Sequence, residues 1–477
     1  MISRERHERI FEYLKLHEGD IVRDLSYLCS MPSVKSESEN ENEPFGHETA
    51  VCLEKTVRLF EKNGFETELY AKSGYALAFG ANTESEKTIG LYAHTDVVPV
   101  NENEWTLTKP FEPKRVGNCL VARGVGDNKN AVIATLYIMK ALRELGIETN
   151  SRFMVFLGSN EESGMKDVQC FVKEQRLPQV NIVPDAGYPV AIGQKGIYRF
   201  NVRSKRPFED IVNISGGEAY NILLDKATAK IKRNDALFTE LIEKKRENIT
   251  VQDGNFITVT AVGVPAHAAE AWKGVNAFFL LSDFLLGIDN LSERDKELLH
   301  FVRDSLSDVY GKPWKIASNS ELFGATTCAN GIVKTVNGCL EYTFDVRHND
   351  VIGYEELERT VEDYFEKGGF EYKKHSHSAC MKRDENSMPI KTFMEGFRTL
   401  TGNENAKPYV MGGGTYANYL DGGFAIGVGS WAYKRDVELP EGHGDAHQAD
   451  EVLCIPSFID GMALMAELVL EIDNNLI

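Results

Sequence analysis

The stretch Ile89 to Pro99 combines an apolar run with residues that could bind a metal ion. Ile89 to Ala93 suit a buried central strand, and His94 and Asp96 follow where Pro99 ends strand pairing. One residue separates the two polar side chains, so they lie on the same side of an extended segment. Asp96 can then accept the proton of one ring nitrogen and leave the other nitrogen free as a ligand. A buried histidine beside a capping aspartate would give the same local pattern.

Further acidic residues follow other predicted strands. They are Asp127, Glu161, Glu162 and Asp185, and the strands before them are predicted near Leu120, at Arg152 to Leu157 and at Asn181 to Val183. Strands and helices alternate here, which is typical of an α/β sheet whose functional side chains lie at the carboxyl ends of its strands. A Gly-rich loop near the end of the chain adds a second imidazole, that of His447.

This set of side chains suits a site for two metal ions. Such a site needs a few neutral nitrogens and several carboxylates, one of which bridges ions that lie about 3.5–4 Å apart. Glu161 and Glu162 are adjacent, so on an irregular turn one can bind a metal ion while the other holds the attacking water as general base. No single motif is diagnostic, because two adjacent glutamates in a loop are commonly only solvated.

Composition and charge exclude several classes of partner. The formal net charge of −19 repels phosphate backbones and anionic lipid, which argues against nucleic-acid and membrane binding and favours divalent cations. The eight cysteines are scattered and form no CxxC pair. No stretch approaches the length of a membrane span, and the charged N-terminal segment does not resemble a secretion signal. We therefore expect reduced thiols and a cytoplasmic protein.

A change of pattern near Asn201 predicts two domains, as expected for a chain of 477 residues. Beyond that point, alternating strands such as Phe256 to Val262 and helices such as Asp235 to Glu247 indicate an inserted α+β domain. The final segment returns to helix, Gly-rich loop and short strand. We therefore predict an α/β domain at residues 1–200 and 386–477, with the inserted domain at residues 201–385.

Taken together and in order, the motifs resemble those of a known enzyme family. They are His94-Thr95-Asp96 with Pro99, Arg123 to Lys129, Glu161 to Gly164, Pro184-Asp185-Ala186, Gly263 to Ala268, Arg347, Gly413 to Ala417 and His447. The family is that of the co-catalytic di-zinc metallopeptidases, which includes PepV-type dipeptidases, carnosinases, peptidase T, acetylornithine deacetylase and succinyl-diaminopimelate desuccinylase. The long middle segment and the run Gly193 to Gly196 look most like the PepV-type dipeptidases.

This resemblance implies a zinc-peptidase-like catalytic domain, with a mixed sheet between helices, and a lid domain. It also implies a ligand set for two divalent ions. His94, Asp127 and Asp185 would bind one ion, and Asp127, Glu162 and His447 would bind the other, so that Asp127 bridges them. Zn²⁺ is favoured, with Mn²⁺ and Co²⁺ as alternatives, because histidine and carboxylate ligands suit all three.

The resemblance gives catalytic roles to three further residues. Asp96 would orient His94, and Glu161 would take a proton from the attacking water and pass it to the leaving amine. His267 would reach from the lid to stabilise the oxyanion. The alternative is that His267 is a surface histidine in a turn with no catalytic role. The family also implies a cis peptide bond between Asp127 and Asn128.

Substrate binding is predicted for residues on the lid and the Gly-rich loop. Arg347 could grip the free carboxylate of a dipeptide, although a surface salt bridge would also explain an arginine there. Asn221 resembles a lid residue that contacts substrate. The backbone of Gly413, Gly414 and Thr415 could bind the same carboxylate through its amides, although such a run is more often only a turn.

The function implied is metal-dependent hydrolysis of dipeptides, or very short peptides, with free N- and C-termini. The nearest alternative is an N-acyl-amino-acid deacylase with the same chemistry. A binding protein that has lost its metal ions is a third hypothesis, which the complete ligand set disfavours. By resemblance to PepV-type enzymes we expect a monomer that has a small peptide substrate and no nucleic-acid or membrane partner.

Overall fold

The protein, seen here as a computed structural model, is described at residues 2–429 and 432–476 and forms two compact units. The first comprises Met1–Ile192, Lys382–Tyr409 and Thr415–Ile477, and the second comprises Gly193–Met381 and Val410–Gly414. The observed border thus precedes the change of pattern at Asn201, because the strand Gly196–Pro207 already belongs to the sheet of the second unit. Whether these units are a catalytic domain and a lid stays a prediction.

A mixed sheet forms the centre of the first unit. Its strands are, in spatial order, Glu66–Tyr70, Tyr75–Ala81, Arg152–Gly158, Thr88–His94, Val180–Ala186, Phe424–Gly427 and Ala191–Gln194. The four from Arg152–Gly158 to Phe424–Gly427 are mutually parallel, and the other pairs are antiparallel. Every residue of Thr88–His94 is buried, as its apolar sequence and central place require. Two short strands, Met381–Lys382 and Tyr409–Met411, lie at the unit borders.

Helices accompany this sheet, as the alternation of strand and helix predicts. They are Arg4–Leu16, Glu18–Cys29, His47–Lys62, Lys129–Glu144, Lys166–Glu174, Met388–Thr401 and Ile455–Asn475. Lys129–Glu144 contacts the central strand Thr88–His94 and is buried on almost all sides. A second, three-stranded antiparallel sheet consists of Lys114–Val116, Cys119–Val121 and Val452–Cys454. It joins two segments that are far apart in the sequence.

The second unit is an antiparallel sheet with helices. Its main strands are, in spatial order, Ile249–Gln252, Phe256–Val262, Lys226–Lys232, Ile211–Gly216, Val333–Val336, Cys339–His348, Gly196–Pro207 and Phe370–Ser378. Thr327–Ala329 also pairs with Cys339–His348, and Asn319–Ser320 pairs with Gly324–Ala325. The helices are Asp235–Glu243, Ala277–Leu286, Glu293–Ser305 and Tyr354–Lys367. One apolar core joins the strands and helices, with Phe200, Phe344 and Trp314 among its buried residues.

The predicted fold class is confirmed: an α/β unit with a mixed sheet and an inserted α+β unit. Within residues 2–429 and 432–476, no helix combines the length and the apolar character that crossing a bilayer requires.

Candidate active site

Three neighbouring parallel strands bring acidic and imidazole side chains to one edge of the main sheet. His94 is the last residue of Thr88–His94 and is paired with Gly158 on the adjacent strand. Glu161 and Glu162 lie in the turn that follows Gly158, and Asp185 lies near the end of Val180–Ala186. Because parallel strands share the direction of their carboxyl ends, four of the predicted site residues meet here.

Asp127 and His447 reach this edge from the loops next to the three-stranded sheet. His94 Nε2 lies 3.2 Å from Asp127 Oδ1 and 3.8 Å from Asp185 Oδ2. His447 Nε2 lies 3.1 Å from Asp127 Oδ2 and 3.1 Å from Glu162 Oε2. The two oxygens of Asp127 therefore face different histidines. In each of the two triads, the potential ligand atoms lie within 4.8 Å of one another.

The contacts in this cluster fit metal ions better than they fit hydrogen bonds. His94 is fully buried, and its Nε2 atom makes no hydrogen bond although Asp127 Oδ1 is 3.2 Å away. Glu161 Oε1 is likewise buried without a hydrogen-bond partner. Orphaned buried polar atoms are costly unless something else satisfies them. The His94 nitrogen suits a metal ligand, and the buried Glu161 oxygen suits a group that exchanges a proton beside the metal-binding residues.

The electrostatics of the cluster point the same way. Burial, together with the charge of Asp127, raises the pKa of Asp185 well above its ordinary value. Burial and the charge of Asp185 have the same effect on the pKa of Glu161. Burial alone would lower the pKa of His447, but the carboxylates of Asp127 and Glu162 raise it to about 11. Four crowded carboxyl groups thus face two imidazoles, and divalent cations would relieve the repulsion.

Asp96 positions two parts of the site. Its Oδ1 and Oδ2 atoms accept hydrogen bonds from the backbone amides of Glu161 and Glu162, each at 3.1 Å. His94 Nδ1 lies 3.0 Å from the backbone oxygen of Asp96 and 3.4 Å from its Oδ1. The hydrogen-bond partner of His94 Nδ1 is thus the backbone oxygen of Asp96, whereas the sequence predicted its carboxylate. The hydrogen bonds to the two glutamates were not indicated by spacing along the chain.

Asn128 is a positioning residue that the sequence reasoning missed. Its Nδ2 atom donates to Asp185 Oδ1 and to the Pro184 oxygen, both at 2.9 Å, and its Oδ1 accepts from the His94 amide at 3.2 Å. The peptide bond between Asp127 and Asn128 is cis, as the resemblance implies. The only signal in the sequence was its place directly after an acidic residue.

Glu451 ties together the loops that carry Asp127 and His447. The carboxylate is 1 % exposed and accepts four hydrogen bonds. The donors are Arg123 Nη1 at 2.8 Å, Gly124 N at 2.9 Å, Gly126 N at 2.7 Å and Asp127 N at 3.0 Å. His447 itself has a φ of 66°, which non-glycine residues rarely adopt. The sequence analysis assigned no role to Glu451.

Two predicted residues of the second unit, Asn221 and His267, adjoin one short helical turn, Ala268–Lys273. The Asn221 oxygen accepts from the Ala268 amide at 2.8 Å, and Ile222 forms a backbone bridge with His267. Gly412 packs against Ala269, where an added Cβ would come within 2.4 Å of the alanine Cβ. Gly413 and Gly414 follow in the same segment of this unit.

Arg347 also reaches this segment. Its Nη1 atom donates to the Gly412 oxygen at 2.8 Å. Its Nε donates to Asp345 Oδ1 at 2.6 Å, and Arg199 Nε donates to Asp345 Oδ2 at 2.8 Å. Asp345 is fully buried, and Arg347 is 3 % exposed. A surface salt bridge is therefore excluded for Arg347, whose guanidinium is held inside the unit.

Lys195 adds a third cation to this region. It is 8 % exposed, and its Nζ donates to the Ala325 oxygen at 2.5 Å. Burial and the charge of Arg347 lower the pKa of Lys195. Arg199 and Arg347 thus share the single carboxylate of Asp345, which balances only one of their two positive charges.

Thr415 lies in the first unit, so the run Gly413 to Thr415 is divided between the two units. Thr415 is 2 % exposed, and its Oγ1 accepts from the Ala417 amide at 3.2 Å, at the start of the short helix Tyr416–Asn418. The structure thus gives Thr415 a local capping contact. Of the three residues predicted to bind a carboxylate through their backbone amides, only Gly413 and Gly414 belong to the second unit.

Comparisons with known proteins agree with these motifs. The chain is 27% identical over 442 residues to a Staphylococcus epidermidis protein whose name provisionally calls it a dipeptidase. The match covers 88% of this chain and 91% of that protein. The fold is similar to that of the dipeptidase Dug1p from Saccharomyces cerevisiae, with a TM-score of 0.62, 15% identity and 98% of each chain covered. It is also similar to human carnosine dipeptidase 1, with a TM-score of 0.61, 14% identity and coverage of 98% and 100%.

The family resemblance inferred from the motifs is confirmed by a match that spans most of the chain. Residues 90–471 carry the sequence pattern of Peptidase family M20/M25/M40, and they include all five potential metal ligands and Glu161. The protein belongs to Peptidase family M20/M25/M40 and is a metallopeptidase of that family.

Proposed function

We propose that this enzyme hydrolyses dipeptides, or very short peptides, that have a free amino group and a free carboxylate. The observation that carries the proposal is the pair of triads that share Asp127, with Glu161 buried beside them. His94, Asp127 and Asp185 would hold one divalent ion, and Asp127, Glu162 and His447 the other. Two ions bound there would polarise a carbonyl oxygen and lower the pKa of a water molecule.

In this proposal the protein itself supplies proton transfer. Glu161 Oε2 lies 4.0 Å from His94 Nε2, and its backbone is held by Asp96, so its carboxylate is fixed at the metal-binding edge. Glu161 accepts a proton from the attacking water and delivers it to the leaving amine. Its immediate neighbour Glu162 faces His447 instead, which separates the role of base from the role of ligand.

Residues of the second unit complete the proposal. His267 donates a hydrogen bond to the oxygen on which negative charge develops, and Arg347 binds the carboxylate of the substrate. Asn221 and the amides of Gly413 and Gly414 assist in holding that substrate, and Thr415 contributes from the first unit. The pairing of Arg199 and Arg347 with one carboxylate supports the assignment, because a second anion would balance the remaining positive charge.

The names of the relatives support a dipeptide substrate. The Staphylococcus epidermidis protein, Dug1p and carnosine dipeptidase 1 are all named as dipeptidases. We further propose Zn²⁺ as the ion, with Mn²⁺ and Co²⁺ as alternatives, and a monomer in the cytoplasm. All eight cysteines are free thiols, which supports a reducing compartment.

The test is an activity panel on metal-reconstituted protein. Purified enzyme is stripped with a chelator, loaded with Zn²⁺, Mn²⁺ or Co²⁺ in turn, and given unmodified dipeptides, their N-acetyl and C-amide derivatives, and acetyl- and succinyl-amino acids. We expect the highest kcat/KM for unmodified dipeptides. Preference for the acyl-amino acids would overturn the proposal in favour of an N-acyl-amino-acid deacylase.

A further inference from the structure

Two cysteines face each other in the three-stranded sheet of the first unit. Cys119 begins the strand Cys119–Val121, Cys454 ends the strand Val452–Cys454, and the antiparallel register pairs the two residues directly. They are 335 positions apart in the sequence (454 − 119), so only the fold reveals their proximity. Both are buried, at 0 % exposure for Cys119 and 6 % for Cys454.

The hydrogen-bond pattern identifies this as a narrow pair of the sheet. The Ile455 amide donates to the Asn118 oxygen at 2.9 Å, and the Ala122 amide donates to the Glu451 oxygen at 3.1 Å. Hydrogen-bonded and non-hydrogen-bonded pairs alternate in antiparallel strands, so the cysteine pair is of the non-hydrogen-bonded kind. Such pairs have Cα atoms about 4.5 Å apart, within the roughly 4.4–6.8 Å that a disulfide spans.

A short exposed segment covers the two sulfur atoms. The segment Lys434–Leu439 lies outside helices and strands, and Asn118 holds it by donating to the Lys434 oxygen at 2.9 Å and accepting from the Asp436 amide at 2.8 Å. Cys454 Sγ lies 3.7 Å from the Lys434 oxygen. Val437 and Leu439 of this segment pack against the cluster that contains both cysteines. Local opening of such a segment, which lies outside helices and strands, would admit a small oxidant.

We propose that Cys119 and Cys454 form a dithiol that a peroxide closes to a disulfide across the strands. Cys454, the more exposed thiol, attacks hydrogen peroxide as its thiolate and becomes a sulfenic acid, releasing hydroxide. Cys119 then attacks that sulfur, the S–O bond breaks and water leaves. In sum, two thiols and one peroxide give one disulfide and two waters, so the sulfur atoms lose the two electrons that the peroxide gains. A thiol reductant reverses the reaction.

The disulfide bond would lie close, along the chain, to residues that hold the metal-binding loops. Cys119 lies four residues before Arg123, and Cys454 lies three residues after Glu451, the pair that holds the Asp127 loop. Closure would covalently join the segment that carries Asp127 to the segment that carries His447. We expect the oxidised protein to melt at a temperature a few degrees higher than the reduced protein, because the cross-link restricts the unfolded chain.

The experiment treats the folded, full-length protein with hydrogen peroxide, blocks remaining thiols with N-ethylmaleimide, and maps linked peptides by mass spectrometry without reductant. We expect Cys119 joined to Cys454 as the main linked product and a loss of two thiols that dithiothreitol restores. The higher melting temperature should accompany the bond and disappear with it. In 8 M urea, where the register is lost, the yield of this product should fall at least severalfold.

Serine variants give matched controls. Cys454→Ser should abolish the linked product and the rise in melting temperature, whereas Cys380→Ser, which changes a partly buried cysteine of the second unit, should retain both. The wild-type comparison with and without urea needs no variant, so a variant that fails to fold leaves the test intact. The proposal is overturned if peroxide oxidises Cys380 while Cys119 and Cys454 remain separately alkylatable, or if urea does not lower the yield.

Discussion

The two units contain charged clusters of opposite sign. In the first unit, Asp127, Asp185, Glu161 and Glu162 crowd around two imidazoles, and burial raises the pKa of Asp185 and of Glu161. In the second unit, Arg199 and Arg347 share the carboxylate of Asp345, and the charge of Arg347 helps to lower the pKa of Lys195. Buried charge that the protein does not balance is costly unless a ligand balances it.

This difference assigns each cluster its own ligand. The acidic cluster needs cations, and its nitrogen and oxygen donors suit divalent metal ions. In the proposed function, the basic cluster binds an anion, which is the terminal carboxylate of a peptide. We therefore expect variants of the acidic cluster to change turnover or metal content, and variants of Arg347 in the basic cluster to change the response to the substrate carboxylate.

The largest effect is expected for Glu161→Gln. Without a carboxylate to carry the proton, kcat should fall by about 10²–10⁴-fold, while the metal content stays unchanged because Glu161 is not a ligand in this account. Steady-state kinetics with elemental analysis of the same preparation measures both. The adjacent variant Glu162→Gln is the matched control and should lose metal. Near-normal turnover in Glu161→Gln would remove Glu161 from its assigned role.

His267→Ala should reduce kcat by about 10²–10³-fold, because a donor to the developing oxyanion acts in the transition state. KM should change little, since the ground-state substrate does not need that hydrogen bond. Metal content should be that of the wild type, because His267 lies in the second unit. A change confined to KM would show that His267 binds substrate and does not stabilise the transition state.

Glu451→Gln should weaken metal binding by about 10–100-fold, because an amide cannot accept the four hydrogen bonds that hold the Asp127 loop. Titration of the metal-free protein measures this affinity without any turnover. Glu441→Gln, an exposed change in the same segment, is the control and should bind metal normally. Equal affinities in the two variants would mean that the loop keeps its shape without Glu451.

Arg347→Lys is expected to have the smallest effect, a loss of about tenfold in kcat/KM for dipeptides with a free carboxylate. Lysine keeps the positive charge but lacks the planar guanidinium group, which can donate two parallel hydrogen bonds to a carboxylate. The C-amide dipeptides should be cleaved by variant and wild type at similar rates. Arg199→Lys changes an arginine that also contacts Asp345 and should leave the preference intact. If both substrate classes lose activity equally, Arg347 does not recognise the carboxylate.

Local pattern was sufficient to predict much of the fold. The alternation in Phe256–Val262 gave that strand its observed bounds, and the apolar run before His94 gave a strand that the structure ends at His94. The helix predicted at Asp235 to Glu247 ends at Glu243. The reason is tertiary: Ile249–Gln252 pairs with Phe256–Val262, so the chain must leave the helix before Ile249.

The candidate site also contains some features that the sequence predicts and others that it does not. His94 and Asp185 were predictable because each stands at the end of a parallel strand. The hydrogen bond from the Asp127 amide to Glu451 spans 324 residues, and no periodicity or spacing reveals such a contact. The run Gly413 to Thr415 looked like one loop, yet its members belong to different units, because sequence adjacency does not define a compact unit.

The central claim is that Asp127 is shared by two metal ions, and counting ions per chain tests it directly. Metal-free wild type, Asp127→Ala, Asp185→Ala and Glu162→Ala are titrated with Zn²⁺, and bound metal is measured by elemental analysis after desalting. We predict two ions for the wild type, one for Asp185→Ala, one for Glu162→Ala and none for Asp127→Ala. One retained ion in Asp127→Ala, or a single ion in the wild type, would contradict the shared ligand and the proposed mechanism.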